Sequence, residues 1–118
     1  MASARPVEIR LKRAEKILEI QFDDGETYRL PAELLRVESP SAEVQGHSPD
    51  QRQLVAGAAK VGISRLEQVG NYAIRIVFDD GHDTGLFTWS YLYELGRDQE
   101  ARWGKYVAAM DQAGLSRE

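Results

Sequence analysis

A chain of 118 residues, 42% hydrophobic and 29% charged, is sized and composed for one globular domain with a modest core. The absence of cysteine excludes disulfides, thiolate metal sites and cysteine nucleophiles together. A formal net charge of −4 with scattered basic residues argues against a phosphate-tracking nucleic-acid surface, and no apolar run is long enough for a membrane span.

Met1-Ala2-Ser3-Ala4-Arg5-Pro6 lacks an apolar leader core, so residues 1–6 read as a flexible tail and the expected location is cytoplasmic. One domain is expected over 7–114. Val7 to Lys12 alternates apolar and charged residues, the period of a strand with one wet face; Ala14-Glu15-Lys16 turns the chain. Arg10-Leu11-Lys12-Arg13, flanked by Glu8 and Glu15, is a solvated strand end rather than a nucleic-acid track. Ile17 to Phe22 is a second strand with Leu18, Ile20 and Phe22 on one face. Asp24-Gly25 supplies a tight hairpin turn, and Thr27 to Leu30 returns. Pro31 suits the start of a short helix ending near Val37.

Residues 38–50, with two prolines and no usable period, read as a long ordered loop, and Gln51 to Lys60 fits either a short helix or irregular chain. Strands resume at Ile63 to Val69 and, after Gly70-Asn71, at Ala73 to Phe78, with Ile74, Ile76 and Phe78 facing inward. Beyond the next Asp-Gly turn, Thr88 is a candidate N-cap for a helix from Trp89 to Leu95 with Gly96 after its end, although Phe87, Trp89, Tyr91 and Tyr93 also alternate like a strand. The final helix is expected from Asp98 to Gly114, with Trp103, Tyr106, Val107 and Met110 on its buried face and a frayed end at 115–118. The fold class is therefore α+β: antiparallel, hairpin-built sheets, a short helix after the first hairpin and a C-terminal amphipathic helix.

One motif occurs twice. Phe22-Asp23-Asp24-Gly25 recurs as Phe78-Asp79-Asp80-Gly81, and at the same spacing Ile20 matches Ile76 and Leu30 matches Leu86. Neighbouring strand residues point to opposite faces and Asp-Gly is ordinary turn chemistry, so these carboxylates read as turns rather than catalytic or calcium-binding pairs. No nucleophile-elbow or phosphate-cradling pattern is present. The two histidines, His47 and His82, are the residue type whose unperturbed pKa allows proton transfer near neutrality, so they are the first candidate bases or ligands, and Asp83 beside His82 could hold its ring. Trp89 and Trp103 read as core, whereas Tyr91 and Tyr93 keep a polar tip outward.

Leu35-Arg36-Val37-Glu38-Ser39-Pro40-Ser41-Ala42-Glu43-Val44-Gln45-Gly46-His47, with Val69-Gly70-Asn71-Tyr72-Ala73 and Phe78-Asp79-Asp80-Gly81-His82-Asp83-Thr84-Gly85, resembles the gamma-butyrobetaine hydroxylase-like N-terminal domain family over about residues 7–110. It looks most like stand-alone bacterial members of unestablished function. The resemblance also covers the front module of gamma-butyrobetaine and trimethyllysine hydroxylases and a module appended to Mrp-type iron–sulfur carriers. In the hydroxylases three cysteines and a histidine bind structural zinc. Those positions fall here on Ser39, Ser41, Val44 and His82, so the resemblance implies that the Cys₃His zinc site is absent.

What the resemblance implies for function is an accessory or protein-interaction domain rather than an enzyme, linked to iron–sulfur or metal-cofactor maturation. Its partner surface would be drawn from Arg36, Ser39, Ser41, Glu43, His47, His82, Asp83, Trp89 and Tyr91. The alternative is a small metal-binding protein or metal-dependent enzyme, with His47, His82 and Asp83 or Glu43 holding a divalent iron or zinc ion. A protein partner is expected, nucleic acid and membrane are not, and an open sheet edge makes a homodimer a third reading.

Overall fold

The computed structural model describes residues 5–40, 55, 57–83 and 85–117. In chain order the elements are β1 (Pro6–Lys12), β2 (Ile17–Phe22), β3 (Thr27–Pro31), α1 (Ala32–Val37), β4 (Ile63–Val69), β5 (Ala73–Phe78), β6 (Leu86–Thr88), α2 (Trp89–Arg97) and α3 (Gln99–Ala113). They form two three-stranded antiparallel sheets, ordered β1-β2-β3 and β4-β5-β6, each followed by a helix. This is the α+β architecture that the alternating strand patterns imply. Among the described residues no helix is long and apolar enough to cross a membrane.

The repeated motif marks a duplication of the whole strand-and-helix unit. Both turns place glycine at positive φ, +90° at Gly25 and +93° at Gly81, where a side chain would be strained. The hydrogen bonds match pair by pair. Phe22 N–H donates to the Glu26 carbonyl (2.8 Å) as Phe78 N–H does to that of His82 (3.0 Å). Glu26 N–H donates to the Asp24 carboxylate (2.9 Å) as His82 N–H does to Asp80 (3.0 Å). Even the irregularities recur: the register shifts at Val7 in β1 and at Ser64 in β4, so both first strands carry a bulge.

The two copies differ in length. Leu18 pairs with Leu30, while the corresponding Ile74 pairs with Phe87, so the second hairpin is one residue longer and Phe87, not Leu86, is the counterpart of Leu30. Burial agrees: Leu30 and Phe87 are fully buried, whereas Leu86 is 41% exposed. Since both turns keep the same bonds through Glu26 and His82, the extra residue falls between His82 and Leu86.

Each helix reaches across to the other unit. Tyr93 of α2 packs edge-on against Phe22 and Tyr28 (ring centroids 5.1 and 5.4 Å), and its hydroxyl donates to Asp24 (2.6 Å). Arg36 of α1 donates from Nε to Asp80 in the second turn (2.8 Å). The inward residues of both sheets, among them Leu18, Ile20, Phe22, Ile74, Ile76 and Phe78, form one core with Leu34, Leu35, Leu92 and Leu95 from the helices.

Four local expectations are corrected. Gly96 lies inside α2, which runs to Arg97; its missing side chain admits the Tyr28 ring, which a Cβ would meet at 2.2 Å. Asp98 precedes α3 without a side-chain cap, because φ −103° and ψ 18° are not the extended geometry a cap needs, and its carboxylate binds Arg97 instead. On α3, Tyr106 and Met110 are buried, but Val107 is 38% exposed. Residues 116 and 117 do not fray: their carbonyls accept from Gly57 N–H (3.0 Å) and Ala59 N–H (2.8 Å), and Arg117 clamps Glu33 (2.8 and 2.9 Å).

Candidate functional site

The duplication shows how a polar cluster arises at the second turn. Where Tyr28 of the first unit fills the space against Gly96, the second unit has Gly85 against Ser39. A Cβ on Gly85 would stand 2.3 Å from Ser39 Oγ. Small and large have exchanged sides, and the room left by Gly85 brings the Ser39 hydroxyl to 3.0 Å from His82 Nε2. Ser39 is fully buried and His82 is 7% exposed, its ring 5.9 Å from that of Phe78.

Asp80 organises the rest. One carboxylate oxygen accepts from His82 N–H at 3.0 Å and the other from Arg36 Nε at 2.8 Å. Burial alone would push this carboxyl up, but the two donors, His82 N–H and then the Arg36 guanidinium, outweigh it and hold it below the usual carboxylate range. Among the described residues Arg36 Nη1 is buried without a hydrogen-bond partner, so none of them uses that donor.

Arg36, Ser39 and His82 are thus brought together. Tyr91 is joined to them through the neighbouring residue: its hydroxyl donates to the Glu38 carbonyl (2.5 Å), and its ring lies under Arg102 (5.7 Å). Asp83 is half-buried, and its charge adds to that of Glu67 in raising the Arg75 pKa. Trp89 is half-buried at the far end of β5, donating its indole N–H to the Asn71 carbonyl (2.7 Å). Ser41, Glu43 and His47 lie outside the described residues, as do the loop and short-helix readings for 41–54.

Sequence reasoning missed Gly85, the buried Glu38 that Arg102 pairs at 3.2 Å, and the second role of Asp80. A turn aspartate with one oxygen occupied by its own backbone always has another to offer. A local pattern cannot say what meets it.

This arrangement does not fit the Cys₃His zinc site of the hydroxylases that the sequence resembles. Of the four corresponding positions, Ser39 offers a neutral hydroxyl in place of a thiolate, and that hydroxyl is bonded directly to His82. Among the described residues no three His, Cys, Asp or Glu side chains converge as a metal-binding group. Chemically the cluster sets a buried hydroxyl and a buried imidazole against each other, beside an aspartate tied to the cation of the opposite unit.

Residues 9–93 match the family model described as gamma-butyrobetaine hydroxylase-like, N-terminal. No curated protein matches the chain. Among solved structures, one NMR solution structure is 47% identical over 99% of this chain and 92% of its own, with a TM-score of 0.86. Another is 47% identical over 98% and 86%, with a TM-score of 0.83. A crystal structure from Acidithiobacillus ferrooxidans ATCC 23270, described as a protein with unknown function of the DUF971 family, is 40% identical over 78% and 92%, with a TM-score of 0.66.

Proposed function

Because the chain belongs to the gamma-butyrobetaine hydroxylase-like, N-terminal family, we propose that it is a non-enzymatic, cytoplasmic accessory domain that docks on a protein partner in iron–sulfur or other metal-cofactor maturation. The observation that carries this reading is the Ser39–His82 bond. It holds the His82 imidazole, 7% exposed, against a fully buried hydroxyl, where a substrate from solvent has little access. Lacking cysteine, the chain would serve such a pathway by docking rather than by holding a cluster on thiolates.

The docking surface in this reading is on the second unit. Leu86 is 41% exposed and pairs with Arg75, at the position where the first sheet pairs Arg29 with Glu19; an apolar side chain has replaced a charge. Tyr72, 53% exposed, precedes β5, and its carbonyl accepts from Trp89 N–H (3.0 Å). Exposed apolar and aromatic side chains on a solvent face suit partner contacts.

Cross-linking and capture of the full chain in its native cells tests the reading, alongside a Tyr72→Ala/Leu86→Ala variant. The expected result is a recurrent cross-linked protein that the variant recovers at least several-fold less well. Absence of any recurrent partner, or equal recovery by the variant, overturns it.

A further inference from the structure

β1 is an outer strand of the first sheet, and among the described residues its backbone bonds only to β2 and, at Arg5, to Asp23. The corresponding edge of the second sheet is treated differently. Arg13 Nε donates to the Ser64 carbonyl of β4 (3.1 Å), and Lys16 Nζ donates to that of Lys60 just before it (2.7 Å), so side chains from the β1–β2 turn occupy that edge. Among the described residues β1 has no such cover. Val7 is 61% exposed, and Ile9 and Leu11, which pack against the core, remain only half-buried. An open edge with exposed apolar residues invites another strand.

The pattern of β1 specifies which strand. Glu8 and Arg10 flank Ile9 and form an exposed ion pair within the strand (2.6 Å). Laid antiparallel on itself about Ile9, β1 sets Glu8 opposite Arg10 of a second copy, Arg10 opposite Glu8, and Val7 opposite Leu11. Laid on β4 with Ile9 opposite Leu66, the same strand would set Glu8 against Glu67 and Arg10 against Arg65. Self-pairing joins unlike charges and cross-pairing joins like ones. A one-residue slip would turn the apolar residues to the wrong face. Pro6 ends the pairing just beyond Val7, and the bulge there loosens it, which limits its length and its strength.

We infer that β1 is a self-recognition edge: a second copy of the chain adds its β1 antiparallel about Ile9, joining two three-stranded sheets into one two-fold-symmetric sheet of six strands. This inference stands apart from the docking surface on the second unit, and either can fail alone. Sedimentation equilibrium over a concentration series, at low salt so that exposed pairs are least screened, tests it with four full-length proteins. These are the wild type, Glu8→Arg, Arg10→Glu and the double swap.

The wild type is expected to dimerise with concentration, and each single reversal is expected to weaken the dimer roughly tenfold, since symmetry counts each repulsion twice. The double swap restores pairing. So does an equimolar mixture of the two single variants, in which a chain with two arginines meets one with two glutamates. A chain monomeric throughout the series, a dimer indifferent to both single reversals, or one that neither the swap nor the mixture restores, overturns the inference.

Discussion

Asp24 and Asp80 occupy matching turns yet answer to different donors. Asp24 is held below the ordinary carboxylate range first by the Tyr93 hydroxyl and then by the Glu26 N–H; in return, that bond raises the Tyr93 pKa. A carboxyl depressed in the folded state contributes stability that is present above its unfolded pKa and lost as pH falls through the folded value. Tyr93→Phe should therefore move the Asp24 midpoint up toward its ordinary value in a carboxyl NMR titration, and the variant should lose less stability than the wild type on acidification through that range. At the second turn the sensitive atom is Ser39 Oγ. Gly85→Ala drives a Cβ into it, and Ser39 is fully buried with little room to swing, so a loss of about 2 kcal/mol is expected in urea denaturation. Ser39→Ala should cost about 1 kcal/mol through the lost hydroxyl bond. The double variant removes the clash with its target and should cost less than the sum of the two.

Helix attachment depends on which ion pairs are shielded. Arg102 of α3 joins Glu38, whose side chain is 6% exposed, to Glu94 of α2, and it covers the Tyr91 ring; one guanidinium thus ties the end of α1 to both later helices. The Arg97–Asp98 pair involves neighbours in sequence with side chains 59% and 39% exposed. Arg102→Met should cost about 2 kcal/mol, because a buried carboxylate loses its cation while Arg102 is itself partly solvated. Arg97→Met should stay within about 0.5 kcal/mol of wild type. Parallel urea melts separate the two. Gly96 in α2 adds a case where packing opposes propensity: alanine ordinarily favours a helix by about 1 kcal/mol, but here its Cβ would enter the Tyr28 ring, which Phe22 and Tyr93 hold edge-on. Gly96→Ala should destabilise.

At the scale of the molecule, the two units are interlocked rather than stacked. α1 follows the first sheet but latches the second turn through Arg36, and α2 follows the second sheet but latches the first through Tyr93. Both sheets contribute to one core, so neither can open without exposing the other. Unfolding is therefore expected to be a single transition, with amide protection in β2 and β5 falling together by similar factors when Arg36 is changed to Met. If β2 kept its protection while β5 lost it, the interlock would be wrong. Arg36 and Tyr93 occupy analogous positions on their helices, which is why the duplication extends beyond the turns to the way the units grip each other.

The sequence by itself determined the strands, the turns and the short helix after the first hairpin, because these follow from local physics: alternation, Asp-Gly chemistry, and a proline that needs no N–H. It also marked the two Asp-Gly motifs as hairpin turns, which their positive-φ glycines and matching hydrogen bonds bear out. Matching letters at constant spacing, however, aligned Leu30 with Leu86, and only strand register showed that a residue had been inserted beside His82 and that Phe87 is the true counterpart. Tertiary structure alone decided that Gly85 makes room for Ser39, that Asp80 binds Arg36 across the units, and that Glu38 is buried with Arg102. Those contacts join residues between 44 and 64 positions apart where such a bond is made across the chain, at Arg36–Asp80 and Glu38–Arg102 respectively. Periodicity reports how a segment meets water or core, and it carries no record of which distant side chain completes a hydrogen bond.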